Sequence, residues 1–184
     1  MKEIIDLARK SDWQVAAREV CRGRRSLSPL AQALVDVARE RPSRERLRLQ
    51  QRAGYLLLHV HWRCPERLAP LLPALLALVE PGASPAHVSI PRQVFSVFQD
   101  REVPEPLAGR LFTAAVATFL RRASPTAARA RALEAAANVA QQYPGLWGEL
   151  SAVADGVAPD ERPGVLSVSR RVVDEARRRL AAPK

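Results

Sequence analysis

Apolar residues recur at steps of three and four along nearly the whole chain, and this spacing restricts the fold more than any other feature of the sequence. Such steps place an apolar stripe along one side of an α-helix, which can then bury that side against a neighbour. No stretch shows sustained period-two alternation rich in β-branched residues, as a strand would require. The sequence therefore predicts an all-α protein. The stripes are formed by Trp13, Ala16 and Val20; by Leu49, Ala53, Leu56 and Val60; by Ala128, Ala132, Ala136, Val139 and Tyr143; and by Val165, Val168, Val172, Ala176 and Leu180.

Proline marks where the helices begin and end. Three Ser-Pro pairs each place a capping hydroxyl before a proline whose missing N–H costs nothing in the first turn of a helix. Pro70, Pro73 and Pro91 fall inside two predicted helices, so these helices are expected to start late or to kink. The Ser-Pro pairs begin at Ser28, Ser84 and Ser124, and the predicted helices span residues 3–10, 12–22, 29–41, 44–62, 65–80, 86–99, 104–122, 125–143, 146–156 and 162–180.

The predicted helices form pairs, because the loops between them are short and short loops make consecutive helices antiparallel neighbours. The first members of the pairs begin near residues 44, 86, 125 and 162, which gives spacings of 42, 39 and 37 residues. This period is typical of two-helix solenoid units of the HEAT kind. We therefore expect one domain over residues 1–184, a right-handed α-α solenoid of about eight to ten helices. Residues 1–27 would be N-terminal cap helices and residues 28–180 the repeats; a closed bundle of short helices is the alternative.

Short packing and capping motifs occur at Arg52–Val60, Pro65–Leu68, Val103–Leu107, Tyr143–Leu146 with Glu149-Leu150, and in the closing Arg170-Arg171 with Ala176-Arg177-Arg178. Together they resemble a family of small bacterial HEAT-like repeat proteins over residues 28–180. The resemblance implies a fold, and it implies no activity for any residue. Members of that family are sometimes labelled adenylosuccinate lyase, but the catalytic loop of that enzyme contains a Ser-Ser-x-Met-Pro signature. The only methionine here is Met1, so the enzymatic label is rejected.

The sequence predicts a cytoplasmic protein with no membrane segment. Residues 1–10 alternate apolar and charged side chains and lack the apolar core of a secretory signal. Cys21 and Cys64 are expected to be free thiols, because disulfides are rare in the reducing cytosol. The longest apolar run, Leu68–Val79, has 12 residues and contains two prolines. A membrane span needs about 20 residues, so this run is predicted to be a buried helix.

The histidines do not form the pattern of a metal site. His59, His61 and Cys64 lie close together in sequence, but residues two apart point to nearly opposite sides of a helix. The two histidines therefore cannot both bind one ion unless the helix unwinds. His61 and Cys64 could share an ion, but two ligands are too few for structural zinc, which takes four. We expect a packed or surface histidine pair, and we expect His87 to lie beside a helix cap or on the surface.

No catalytic or cofactor-binding pattern is present in the sequence either. It contains no nucleophile elbow, no P-loop and no dinucleotide-binding glycine motif. The serines lie mostly at predicted helix starts, where capping explains them. Glu134 and Glu149 are predicted to be lone charges on solvent faces. We therefore expect no enzyme activity and no cofactor.

The arginines carry the strongest functional signal. The formal charge is +10, and it is concentrated at the two ends of the chain: +7 over residues 1–64, −2 over residues 65–161 and +5 over residues 162–184. The first helices of the four predicted pairs total +9 and the second helices −1, so stacked pairs would place arginines on one broad surface. A general preference for arginine over lysine is the alternative explanation. The candidate partner-binding surface consists of Arg48, Arg52, Arg92, Arg129, Arg131, Arg170 and Arg171.

Two functions fit such a surface. A non-catalytic scaffold would present it to another protein, with an acidic partner favoured by the charge. A nucleic-acid-binding protein would resemble the HEAT-like DNA alkylation-repair glycosylases, which hold duplex DNA in a basic concave groove. The helices expected to line that groove are nearly neutral, and the aromatic residues are predicted to be core residues rather than a base-stacking platform. The sequence therefore favours the scaffold. The aromatic residues concerned include Trp13, Tyr55, Trp62, Tyr143 and Trp147.

Overall fold

The computed structural model describes residues 10–35, 43–83 and 87–181, and every regular element in these ranges is helical. The all-α prediction is confirmed for this part of the chain. The α-helices are α1 (Lys10–Cys21), α2 (Ser28–Val35), α3 (Arg44–His61), α4 (Leu72–Ala77), α5 (Ile90–Phe98), α6 (Glu105–Leu120), α7 (Thr126–Gln142), α8 (Trp147–Asp155) and α9 (Pro163–Ala181). Two 3-10 helices, Pro65–Leu71 and Pro144–Leu146, immediately precede α4 and α8.

Prolines reshape two of the predicted helices, as expected. The predicted helix over residues 65–80 is divided into a 3-10 helix and α4, with Pro70 before the junction and Pro73 just after it. α5 starts at Ile90, four residues later than predicted, with Pro91 in its first turn. From α6 onwards the predicted ends agree within two residues. Residues 3–9 of the predicted helix 3–10, residues 36–41 of the predicted helix 29–41, and Ser84 lie outside the described residues.

Ser124 does not cap α7, contrary to the prediction. α7 begins at Thr126 with Pro125 in the N-cap position, and no side chain hydrogen-bonds to that end of the helix. Pro125 has an extended backbone, and its carbonyl accepts hydrogen bonds from the N–H groups of Ala128 (2.9 Å) and Arg129 (3.0 Å). The fixed φ of proline suits this position, so the hydroxyl is not needed.

The chain forms two compact units, unit 1 (Met1–Val94) and unit 2 (Phe95–Lys184), and the boundary falls inside α5. A single solenoid domain over residues 1–184 stays a prediction. In unit 1, α1 and α3 run in the same direction. Trp13 of α1 stacks on Tyr55 of α3 with ring centroids 4.7 Å apart. Farther along both helices, Cys21 is bonded to Cys64, and the two Cα atoms are 5.7 Å apart.

The prediction that Cys21 and Cys64 are free thiols is wrong. Both cysteines of the chain are used in one disulfide, which joins the end of α1 to the turn after α3. The packing of α1 beside α3 brings together two residues that lie 43 positions apart in sequence. Disulfides persist mainly in oxidising compartments. The expectation of free thiols therefore no longer supports a cytoplasmic location.

The core of unit 1 includes a close approach of α5 to α3. Gly54 of α3 lies against Gln93 of α5, and a methyl group added to Gly54 would overlap the Gln93 amide. Gln93 is fully buried, and neither end of its amide has a hydrogen-bond partner in the described structure. The predicted apolar run after α3 is confirmed as a buried element, since Leu68, Leu72 and Leu76 are all inaccessible to solvent or nearly so.

In unit 2, α6 packs against α7, α7 against α8 and α9, and α8 against α9. Trp147, at the start of α8, is 2% exposed and is the largest side chain of this core. A half-buried amide of unit 2 is paired, in contrast to Gln93. The side-chain amide of Asn138 on α7 donates hydrogen bonds to the carbonyls of Phe98 and Arg101, both at 2.7 Å, and thereby holds the end of α5.

Within the three described ranges, no helix is both long enough and apolar enough to cross a membrane.

Candidate functional site

The seven arginines of the predicted basic surface lie in both units and in three different environments. In unit 1 they belong to α3 and α5, and in unit 2 to α7 and α9. Their solvent exposure separates them into exposed, partly buried and buried arginines, which the sequence composition does not distinguish. Arg48, Arg92, Arg170 and Arg171 are exposed, Arg52 and Arg131 are partly buried, and Arg129 is buried.

Arg129 is a structural residue, so its predicted place on the surface is corrected. Its side chain is only 6% exposed, and its Nε donates a hydrogen bond of 2.7 Å to the carbonyl of Phe119 at the end of α6. Its Nη1 donates at 2.7 Å to Oε2 of Glu161, whose side chain is 11% exposed. The guanidinium also lies over the Phe119 ring, 5.6 Å from the centroid. These contacts hold the Arg129 guanidinium inside the fold, so it is not part of an exposed binding surface.

Glu161 is the anionic partner of Arg129, and its protonation state follows from its hydrogen bonds. The backbone N–H of Arg162 donates to Oε1 at 2.9 Å, and the Arg129 guanidinium donates to Oε2. Both bonds favour the charged carboxylate, so the pKa of Glu161 lies below its ordinary value. The pair is therefore ionised at neutral pH.

Glu134 is not the lone charge that the sequence predicts. It accepts hydrogen bonds from Arg131 through Oε2 at 2.6 Å and from Arg171 through Oε1 at 2.8 Å, and so links α7 to α9. Arg131 also donates to the side-chain oxygen of Gln99 at 3.0 Å. Both arginines nevertheless keep much of their surface in water, and pairs of this exposure contribute little to stability.

The solvent side of α9 carries a row of arginines that we call the α9 basic face. Its members come in two pairs separated by seven residues, which is two helical turns or about 10.5 Å along the axis. Arg170 and Arg171 were predicted, whereas the second pair was missed, although the seven-residue spacing was visible in the sequence. The face consists of Arg170, Arg171, Arg177 and Arg178, and the opposite, buried side of α9 consists of Val165, Val168, Ser169, Val172, Val173 and Ala176.

A groove of about 310 Å³ lies beside the α9 basic face, between α7 and α9. Trp147, Val168 and Val172 contribute its apolar walls. Its polar rim includes Arg171 and Glu175. Glu175 accepts hydrogen bonds from Nη2 of Arg178 at 2.6 Å and from Nε of Arg179 at 2.7 Å. The bond from Arg179 is the main reason why the pKa of Glu175 is lowered.

Trp62 is not a core residue, and this prediction is also corrected. The indole lies in the turn after α3 and is 63% exposed, while its neighbour Cys64 is drawn into the core by the disulfide. His59, one turn earlier, contacts the indole edge-to-face with centroids 5.2 Å apart. Arg63 is exposed and donates to the His59 carbonyl at 3.4 Å. The arginine-rich turn after α1 is joined to this site through Cys21.

The histidines of unit 1 have structural contacts. His59 and His61 are both buried, and no group of three metal-binding side chains occurs in the part of the chain that the structure describes. The Nδ1 of His87 accepts the backbone N–H of Ser89 at 3.2 Å and contacts the Ser89 hydroxyl at 2.8 Å, directly before α5. These contacts place His87 in the turn before α5. Burial lowers the pKa of His87.

Comparison of the chain with family models, with curated proteins and with solved structures finds no match.

Proposed function

We propose that the protein is a non-catalytic binding module that docks an acidic segment of another protein on the α9 basic face. The observation that supports it is the two-turn row of exposed arginines opposite the buried side of α9. Positive charge of this kind speeds and orients the approach of an acidic partner.

The ion pairs of Arg177 leave its part of this face available, whereas Arg171 and Arg178 already donate to Glu134 at 2.8 Å and to Glu175 at 2.6 Å. Arg177 lies 4.0 Å from Asp155 and 3.9 Å from Asp174, and all three side chains are about 70% exposed. Exposed pairs at such distances are worth at most about 1 kcal/mol, so partner carboxylates can replace them at small cost. Arg170 is exposed on the same face.

The groove beside the face supplies an apolar complement. Trp147, Val168 and Val172 offer a wall for one inserted side chain of the partner, and interfaces gain most of their affinity from a few such anchors. Leu180, 59% exposed on the last turn of α9, adds apolar surface beyond the groove.

The proposal includes the finer fold assignment, a right-handed HEAT-like α-solenoid acting as a scaffold. In its support, the helices of unit 2 pack in chain order, as consecutive helical hairpins do. Repeat proteins of this type commonly present extended surfaces to their partners.

Photo-crosslinking tests the proposal. A photoreactive amino acid at Leu180 should crosslink an acidic protein in native extract, whereas the same group at Gly109, an exposed position on α6, should not. Changing Arg170→Gln and Arg177→Gln together should abolish the crosslink. Arg110→Gln with Arg121→Gln removes the same charge from exposed positions on α6 and at its end, and should leave the crosslink intact. Equal crosslinking from both positions, or equal loss in both double variants, would contradict the proposal.

A further inference from the structure

The turn after α3 exposes a large aromatic surface that the proposed function does not use. Trp62 has 63% of its surface in solvent, and most tryptophans bury far more. Its edge-to-face contact with His59, which is buried, restricts the indole to a preferred orientation. An exposed and oriented ring is suited to stacking with a planar ligand.

Two arginine-rich segments, one of which contains Trp62, are held together by the disulfide. Residues 22–27 and 62–67 contain five arginines and one glutamate, and the Cα atoms of Cys21 and Cys64 are 5.7 Å apart. Arg67 reaches across to the other segment, where its guanidinium lies 3.3 Å from the point that a Cβ on Gly23 would occupy. We call the following set the Trp62 cluster: Trp62 with Arg22, Arg24, Arg63 and Arg67.

The arginines of the Trp62 cluster are only weakly engaged with protein carboxylates. Arg22 and Arg24 both approach Oε1 of Glu19, at 3.8 and 3.9 Å, and their side chains are 61% and 67% exposed. Arg63 and Arg67 are exposed as well. Long, exposed ion pairs exchange readily with other anions.

We propose that the Trp62 cluster binds single-stranded nucleic acid. A single strand joins an anionic phosphate and an unpaired planar base in every nucleotide, so it uses both the arginines and the indole. An acidic peptide satisfies the arginines and leaves the indole without a stacking partner. A duplex offers phosphates but keeps its bases stacked inside. The site lies in unit 1 and does not depend on the proposed function of the α9 basic face.

Fluorescence anisotropy with labelled probes of equal length tests this site. The probes are a 12-nucleotide oligothymidine, a 12-nucleotide oligouridine, a 12-base-pair DNA duplex and a 12-residue polyglutamate. At least one single strand should bind about tenfold more tightly than the duplex and the polyglutamate, because base–aromatic stacking is worth about 1–3 kcal/mol per base. The better of the two single strands identifies DNA or RNA as the natural ligand.

Variants separate stacking from charge. Trp62→Ala should weaken single-strand binding about fivefold or more, and Trp62→Phe should restore most of it. Arg22→Gln with Arg24→Gln should weaken binding and make the log–log salt slope shallower by about 1.4, because each phosphate contact on a single strand contributes about 0.7. Arg110→Gln with Arg121→Gln, which removes the same charge outside the cluster, should change neither quantity.

Three results would overturn this assignment. One is polyglutamate or duplex binding as tight as single-strand binding, which would assign the cluster to an acidic protein or to duplex DNA. Another is undiminished binding by Trp62→Ala. The third is equal weakening by the two double-arginine variants, which would reduce the effect to net charge.

Discussion

In unit 2, the Arg129 side chain is buried and binds the Phe119 carbonyl at the end of α6 and the carboxylate of Glu161. In unit 1, the side chains of Arg22 and Arg24 are mostly exposed to solvent. The same residue type therefore stabilises the fold where it is buried and remains available for ligands where it is exposed. The units also differ in how they are fastened. A disulfide joins two segments of unit 1, and the Arg129–Glu161 ion pair joins α7 to the loop before α9 in unit 2.

The largest expected effect is the loss of the disulfide. Replacing both cysteines, Cys21→Ser with Cys64→Ser, should destabilise unit 1 by about 2–4 kcal/mol, because the cross-link restricts a long loop of the unfolded chain. Amide hydrogen exchange should then accelerate in α1 and α3 more than in α7 and α9. Reduced wild-type protein should behave like the double variant. Equal acceleration in both units would show that the disulfide is not specific to unit 1.

Arg129→Ala should destabilise unit 2 by about 2–3 kcal/mol, because the Phe119 carbonyl loses a charged hydrogen-bond donor in a buried place. The matched control is Arg131→Ala on the same helix, whose half-exposed ion pair should cost at most about 1 kcal/mol. Chemical denaturation measures both. Equal losses of unfolding free energy in the two variants would mean that burial does not determine how much each arginine stabilises unit 2.

The half-buried amide of Asn138 in unit 2 and the buried amide of Gln93 in unit 1 should give smaller changes in stability, of opposite sign. Asn138→Leu in unit 2 should cost about 1–2 kcal/mol, because it removes the side-chain donor to the Phe98 carbonyl and one of the two side-chain donors to the Arg101 carbonyl. Gln93→Met in unit 1 removes an amide that has no partner in the described structure, so it should be neutral or stabilising. Thermal unfolding measures both variants. A clear loss in Gln93→Met would show that the amide is satisfied, for example by a buried water.

The smallest expected effect is a difference in acid sensitivity. His87 in unit 1 and Glu161 in unit 2 both have lowered pKa values in the folded state, so each contributes stability above its unfolded pKa and loses it as the pH falls through the folded pKa. The loss should begin below pH 6.5 around His87 and only below pH 4.5 around Glu161. Hydrogen exchange from pH 7 to pH 3, corrected for the intrinsic pH dependence of amide exchange, measures the order. His87→Gln should remove the first step, and acid loss in unit 2 before unit 1 would contradict the assignment.

Helical periodicity predicted the elements because each helix needs only local spacing to define its buried side. The burial of Arg129 was also visible in part, since Leu133, Ala136 and Ala140 follow it at helical steps of four, three and four. Trp62 was misjudged because the stripe that ends at Val60 does not continue to a residue two positions later.

The disulfide and the pairing of Glu134 could not be predicted from spacing. The two cysteines meet only because α1 packs beside α3, and Glu134 meets Arg171 only because α9 packs beside α7. Such contacts depend on how the helices pack together, and local sequence patterns do not determine that packing.

Arginine modification tests most directly the claim that burial divides these residues into structural and ligand-facing groups. Folded protein is treated with an arginine-specific dicarbonyl reagent, and the rate at each site is followed by mass spectrometry. Arg22, Arg24, Arg170 and Arg177 should react rapidly, and Arg129 should stay unmodified until the protein unfolds. If Arg129 reacted at the same rate as the other four in folded protein, the division would be contradicted.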